Sequence, residues 1–189
     1  MYGLINQAVE DLCRTKFGNA VWDRIRSDAG LPDEPFLRME KYPDEITYKL
    51  VGAACKVLNL SAEAVLKEFG RFWTVYSAEA GYGELLHSVG RTLPEFLKNL
   101  DQMHTRIQLA FTHLQPPSFT VSDETPNSCV VHYYSERPGL APLVIGMLEG
   151  LSVRFRLEID VQHVPVQGAR PHDTFHIRVR PAAANKATV

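Results

Sequence analysis

The feature that most constrains this chain is a change in its residue pattern at Pro116-Pro117. Before this pair, apolar residues recur at the spacing of one helix face, which predicts amphipathic helices. After it, β-branched and aromatic runs are separated by clusters of turn-forming residues, a pattern typical of antiparallel strands. Helices followed by strands, without the regular alternation of βαβ units, predict an α+β fold.

Apolar periodicity and capping residues such as Ser61 and Pro94 set the bounds of the predicted elements. Before the proline pair we expect helices over residues 2–17, around 21–25, 44–57, 61–76, 84–89 and 92–111. After it we expect strands over 119–121 and 129–134, a helix over 140–155, and strands over 157–164 and 174–179. The first two strands are close enough in sequence to form a hairpin.

The length and composition fit a single folded unit. With 189 residues, of which 45% are hydrophobic, the chain can bury one sizeable core. We predict one domain over residues 1–181, with a mainly helical lobe over about 1–60 and a second lobe over about 61–181 that carries the antiparallel sheet. Residues 182–189 are predicted to form a flexible tail.

The charge balance and the cysteines argue against several classes of protein. A formal net charge of -2 provides no basic field for nucleic acid or an anionic membrane. No stretch is long enough to span a bilayer, and the amino terminus lacks the pattern of a signal peptide. Cys13, Cys55 and Cys129 lie far apart and match neither a disulfide framework nor a structural zinc motif. We therefore expect a cytoplasmic protein with no nucleic-acid partner and no membrane insertion.

His104 shares the apolar face of the predicted long helix. It lies seven, four and three residues from Leu97, Leu100 and Ile107, so its side chain should point inward. On this evidence alone, a core histidine that bonds a neighbouring carbonyl explains the position better than a metal ligand.

A second group of polar residues follows the predicted strand 129–134. Tyr133, Ser135 and Arg137 alternate along the chain, which should place them on one face if the strand continues. Two hydroxyls and a forked guanidinium suit a pair of carboxylates, because every donor can make a charge-assisted hydrogen bond. A solvated strand end is the alternative for this triplet taken alone.

Together these residues resemble the H-NOX (haem nitric oxide/oxygen binding) domains, which are related to the haem domain of soluble guanylate cyclase. The resemblance covers nearly the whole chain from Met1-Tyr2-Gly3 onward, and Tyr133, Ser135 and Arg137 match the Tyr-x-Ser-x-Arg motif of that family. It implies the H-NOX fold, with haem b (protoporphyrin IX iron) buried between the lobes. In that family the residue matching His104 is the proximal iron ligand, and the motif binds the haem propionates.

The resemblance assigns roles to three further residues. Pro117 matches a proline that presses on the porphyrin and holds it out of plane, and Ile5 corresponds to its apolar counterpart on the first helix. Asp44 matches an acid that pairs with the motif arginine and couples the two lobes.

The distal residues bear on which gas is bound. Oxygen-binding members carry a distal tyrosine on the helix after the motif, whereas the corresponding position here is Leu143, with Met147 one turn on. Neither side chain donates a strong hydrogen bond. Trp73 corresponds to another distal residue, which either donates from its indole N–H or only packs. The resemblance therefore implies a sensor that binds NO and CO at ferrous haem and excludes O2.

The resemblance also implies how a signal arises. In this mechanism NO weakens or breaks the bond between His104 and iron, the strained haem relaxes and the lobes shift. A separate partner must then distinguish the two states. Family members act on histidine kinases, on diguanylate cyclases or phosphodiesterases, or on chemotaxis receptors, and the residues do not choose among these partners.

Two other kinds of site deserve comparison. Cys129, His132 and the acids Asp123 and Glu124 could supply the nucleophile, the base and the residue that orients the base in an enzyme. Such a catalytic site is disfavoured, because Cys129 and His132 alternate along the strand and should face opposite sides of it. We therefore expect no enzyme. A zinc site built from His163, His172, His176 and a cysteine is also poorly supported. No cysteine follows Cys129, and histidines on solvent-exposed strand faces explain the pattern more simply.

The more serious alternative is a haem-free small-molecule sensor or scaffold of similar fold. Such a protein would not need the combination of a helix histidine with a dianion-binding motif. An absorption spectrum of the purified protein distinguishes the two possibilities.

Overall fold

The computed structural model describes residues 1–167 and 172–182, and it confirms an α+β fold. Helices α1 to α4 and then α5 to α7 precede the strands. Their bounds are α1 Gly3–Phe17, α2 Asn19–Asp28, α3 Asp44–Leu58, α4 Ala62–Ser77, a π-helical turn Ala78–Tyr82, α5 Gly83–Val89, α6 Leu93–Lys98 and α7 Leu100–Gln108. The remaining elements are β1 Ser118–Thr125, β2 Ser128–Tyr134, α8 Ala141–Phe155, β3 Leu157–Val166 and β4 His172–Pro181. Apart from Ala182, the predicted tail lies outside the described residues.

The four strands form one antiparallel sheet in the order β1-β2-β4-β3. On β2 the alternation of the strand sends Cys129, Val131 and Tyr133 into the core, while His132 and Tyr134 lie on the opposite face. The predicted hairpin is thus confirmed, and β1 and β4 are longer than the sequence pattern indicated.

Two hydrophobic clusters fill the interior. The first lies among α1 to α4 and is built around Trp22, Ile25 and Leu50, all fully buried. The second lies between the inner face of the sheet and helices α6 to α8, around Phe175 and Leu97. No helix among the described residues is both long enough and apolar enough to cross a bilayer.

Helices α4 and α8 cross with their backbones almost in contact. A Cβ atom at Gly70 would lie 2.2 Å from the carbonyl oxygen of Leu143, and one at Gly146 would lie 2.0 Å from that of Lys67. Any side chain at these two positions would overlap the facing backbone. Beside the crossing, Glu149 on α8 pairs with Lys67 and Arg71 on α4, each at 2.7 Å.

The predicted single helix over residues 92–111 is wrong, because the structure divides it at Asn99. Asn99 leaves helical geometry at φ -93° and ψ 1°, and its side-chain amide donates to the carbonyl of Val89 at 2.7 Å. Asparagine has a low helix propensity because its side chain competes for backbone hydrogen bonds.

The crossing predicts an unequal response to two glycine substitutions. Gly146→Ala should lower the free energy of unfolding by about 1–3 kcal/mol, because the new methyl group overlaps the Lys67 carbonyl. Gly52→Ala is the matched control, since Gly52 is a helical glycine with open space around it. It should stabilise the protein by about 0.5–1 kcal/mol. Urea unfolding measures both, and equal effects of the two substitutions would contradict the close crossing.

Candidate functional site

His104 lies on α7, next to the buried residues Leu100 and Met103. Its Nδ1 atom is buried and has no hydrogen-bond partner among the described residues. Burial lowers the pKa of His104 below its ordinary value, although the Asp101 charge and a hydrogen bond to the Pro117 carbonyl oppose this shift. The imidazole is therefore neutral at pH 7. A neutral ring that donates at one nitrogen has a free lone pair at the other.

Asp101, one turn before His104, fixes the helix against the first strand. Its carboxylate accepts hydrogen bonds from the Ser118 hydroxyl at 2.6 Å and from the Phe119 backbone N–H at 2.7 Å. These bonds hold α7 beside the chain that leaves Pro117. Sequence reasoning missed this residue, and the signal that could have found it is an acid three positions before an inward histidine.

The Tyr-x-Ser-x-Arg residues come together through a turn and not through strand alternation. Strand β2 ends at Tyr134, so Ser135 and Arg137 lie in the loop that follows. The Tyr133 side chain nevertheless bonds the Ser135 side chain, and burial outweighs this bond in raising the pKa of Tyr133. The Ser135 hydroxyl in turn accepts from the Arg137 backbone N–H at 3.1 Å.

Arg137 links this loop to helix α3. Its Nε donates to Asp44 at 2.7 Å, and one terminal nitrogen donates to the Gln115 carbonyl at 2.9 Å. Asp44 also pairs with the amino group of Met1. Burial raises the pKa of Asp44, but hydrogen bonds and charges from the amino terminus and Arg137 outweigh burial and lower it overall. The carboxylate thus stays ionised at neutral pH.

The group formed by Tyr133, Ser135 and Arg137 opens to solvent at one end. Arg137 lines a cleft of about 470 Å³, and so do Tyr2, His113 and Gln115. At the other end, the ring of Phe119 contacts both His104 and Tyr133, with centroid distances of 6.1 and 5.2 Å. One aromatic side chain therefore connects the histidine to the hydroxyl pair.

Four other predicted site residues lie on helices α1, α4 and α8. Ile5, Trp73 and Leu143 are partly buried and all pack against the cluster among α1 to α4. Trp73 lies between the rings of Phe69 and Tyr76, at centroid distances of 6.2 and 6.1 Å. The backbone N–H of Met147 faces Gly70 at the helix crossing. We call Ile5, Trp73, Leu143 and Met147 the apolar wall; they lie on α1, α4 and α8, whereas His104 lies on α7.

The residues of the two rival sites are arranged unfavourably. Cys129 is buried on the inner face of β2, and burial raises the pKa of its thiol. His132 lies on the outer face, so the pair cannot act together. His163 bonds Asp173 at 2.6 Å. Within residues 1–167 and 172–182, no three His, Cys, Asp or Glu side chains are grouped to hold a metal ion.

Comparisons with known proteins agree with this architecture. A model of a family described as Haem-NO-binding matches residues 2–163. Soluble guanylate cyclase gcy-31 of Caenorhabditis elegans is 26% identical over 168 residues, and gcy-32 of the same organism is 30% identical over 171 residues. These matches cover 88% and 89% of this chain but only 24% and 25% of the relatives. The chain thus spans about a quarter of their length.

Solved structures support the same fold. An H-NOX protein from S. oneidensis in the Fe(II) state superposes with a TM-score of 0.85 at 21% identity, covering 97% of this chain and 98% of that one. The Fe(II)NO state of an S. oneidensis H-NOX protein gives a TM-score of 0.84 at 21% identity, covering 95% of this chain and 99% of that one. With the family model matched over most of its length, the chain belongs to the Haem-NO-binding, or H-NOX, family.

Proposed function

We propose that this chain binds haem b, with His104 as the proximal ligand of the iron, and acts as a sensor of NO. The observation that carries the proposal is the buried, partnerless Nδ1 atom of a neutral His104. A buried polar atom without a partner is costly, and a ligand that accepts a lone pair removes that cost. Ferrous haem, when bound, supplies an open coordination position for a diatomic gas.

The residues around His104 fit the rest of a haem group. Tyr133, Ser135 and Arg137 offer two hydroxyls and a guanidinium, the donors needed by two propionates. Arg137 donates from its Nε to Asp44 and from one terminal nitrogen to the Gln115 carbonyl, and it also lines the cleft, where the propionates would remain hydrated. We propose that Pro117, in the loop before β1, and Ile5, on α1, would contact the flat faces of the group.

A signal requires His104 to be released. Asp101 anchors α7 to Ser118 and Phe119, so the histidine and the first strand move together while the anchor holds. If NO binding freed the His104 side chain, the Asp44–Arg137 pair and the hydrogen bond from the His113 backbone N–H to the Tyr2 hydroxyl would still join the amino-terminal helices to the rest of the chain at this edge. We propose that the lobes then shift and that a partner protein distinguishes the two states.

The partner classes proposed are a histidine kinase, a diguanylate cyclase or phosphodiesterase, or a chemotaxis receptor. Cyclase activity of the longer relatives is not proposed for the residues of this chain. Gas selectivity rests on the apolar wall, because Leu143 has no hydrogen-bond donor. We therefore propose that NO and CO bind and that O2 is excluded.

Absorption spectroscopy tests the haem assignment. Protein expressed with adequate haem supply should show a Soret band, and His104→Gly should lose the native ferrous spectrum and regain a five-coordinate one with added imidazole. His87→Ala is the control, because His87 is an exposed histidine on α5. A wild type without a Soret band would favour the haem-free alternative, and a His104→Gly spectrum identical to wild type would refute His104 as the ligand.

Oxygen binding tests the gas selectivity. The reduced wild-type protein should form no stable oxy species in air. Leu143→Tyr should increase O2 affinity by about ten- to a hundredfold, since a hydrogen bond to a charged ligand contributes about 1.5–3 kcal/mol. Leu143→Phe adds the same ring without the hydroxyl and should leave O2 binding unchanged. A stable oxy spectrum in the wild type, or equal gains in both variants, would contradict the role given to Leu143.

A further inference from the structure

The outer face of the sheet carries a pair of histidines that the proposed haem site does not use. His132 on β2 lies opposite Thr174 of β4, so His172 is its diagonal neighbour across the two strands. The Nδ1 atom of His132 and the Nε2 atom of His172 are 3.1 Å apart. This face is opposite the one that carries buried Tyr133. The pair is therefore independent of the residues assigned to haem.

The hydrogen bonds around His132 determine its tautomer. The Ser122 hydroxyl lies 2.9 Å from His132 Nε2 and 3.0 Å from a carboxylate oxygen of Asp123. The hydroxyl has one proton, and the carboxylate can only accept, so Ser122 donates to Asp123. Towards His132 it must then accept, which places the ring proton on Nε2. His132 Nδ1 therefore directs a lone pair at His172 Nε2.

The distance between the two nitrogens suits a shared metal ion. Imidazole nitrogens bind Zn²⁺ at about 2.0–2.1 Å. Two such ligands are separated by roughly 2.9 Å at a right angle and by roughly 3.3 Å at the tetrahedral angle. The observed 3.1 Å lies between these values. The two nitrogens thus already lie within the range of spacings that coordination requires.

The surroundings orient both rings. The Asp123–Ser122–His132 chain resembles the outer-shell arrangement in which a ligand histidine donates its second N–H towards a carboxylate. Asp123 reaches back to Ser122 at an irregularity of β1, where its φ is 49°. The ring of Tyr134 stacks on His172 with a centroid distance of 4.4 Å.

We propose that His132 and His172 form a two-histidine site for a divalent transition-metal ion that prefers imidazole, such as Zn²⁺ or Ni²⁺. The ion would take the place of the hydrogen bond between the rings. His172 then adopts the neutral Nδ1–H tautomer, so a neutral pair coordinates without net loss of a proton. Water would complete the coordination, since no third His, Cys, Asp or Glu side chain joins this pair in the part of the chain that the structure describes.

This site differs from the zinc possibility raised by the sequence. Of the histidines considered there, His163 bonds Asp173 and stacks on the core residue Phe175, on the inner side of the sheet. His176 lies opposite Val130 and Gln162, further along β4. Only His172 is shared between the two sets, and the new partner is His132.

Isothermal titration calorimetry tests the proposal. The haem-loaded chain is titrated with Zn²⁺ at pH 7.5, and the titration is repeated with Ni²⁺. We expect one equivalent to bind, with at least a tenfold loss of affinity in His132→Gln and in His172→Gln. His176→Gln is the matched control, an exposed histidine on the same face, and should bind as wild type does. Unchanged binding in His132→Gln, an equal loss in His176→Gln, or no binding to the wild type would overturn the site. Unfolding temperatures confirm that the variants fold.

A second variant separates coordination from a merely structural role. Ser122→Ala keeps both histidines but removes the acceptor of the His132 Nε2 proton, and it should weaken binding by about ten- to a hundredfold. Long-range ¹H–¹⁵N spectra of the metal-free protein should show His132 as the Nε2–H tautomer. An Nδ1–H tautomer would contradict the proposal. The Soret band should not move when Zn²⁺ is added, so this test is independent of the gas-sensing function.

Discussion

The rest of the structure depends on the close crossing of helices α4 and α8. Because Gly70 and Gly146 have no side chains, the two backbones approach until a methyl group would overlap a carbonyl on the facing helix. The crossing joins the helical cluster to the half of the molecule that carries the sheet. It also brings α8, with Leu143 partly buried on it, against the helical cluster on which Trp73 packs. The apolar wall proposed to face the gas is therefore a consequence of backbone packing.

The polar side of the site depends on three short links to the chain around Pro117. Asp101 holds α7 to Ser118 and Phe119, the His104 ring bonds the Pro117 carbonyl, and Arg137 reaches both Asp44 and Gln115. Each link joins residues that are separated along the chain, whereas the neighbouring cleft is open. A change in the ligation of His104 would thus act on a segment that is already tied to α7 and to the loop that carries Arg137.

The sequence predicted what depends on periodicity and motif, and it missed what depends on side-chain competition in three dimensions. The fold class, the hairpin and the Asp44–Arg137 pair were accessible from the residues and the family resemblance. The break at Asn99 could not be predicted from the sequence, because it depends on the Val89 carbonyl lying within hydrogen-bond reach of the Asn99 side chain. The histidine pair was missed because it depends on the register between β2 and β4, which links residues 40 positions apart.

The central claim is that His104 binds the iron and is released when NO binds. Resonance Raman spectroscopy of the ferrous, haem-loaded protein measures this bond directly, through an iron–histidine stretching band that shifts when histidine is labelled with ¹⁵N. The account predicts that the band is present in the unliganded ferrous protein and disappears when NO is added. A band that persists with NO bound, or one that is unchanged in His104→Gly, would contradict it.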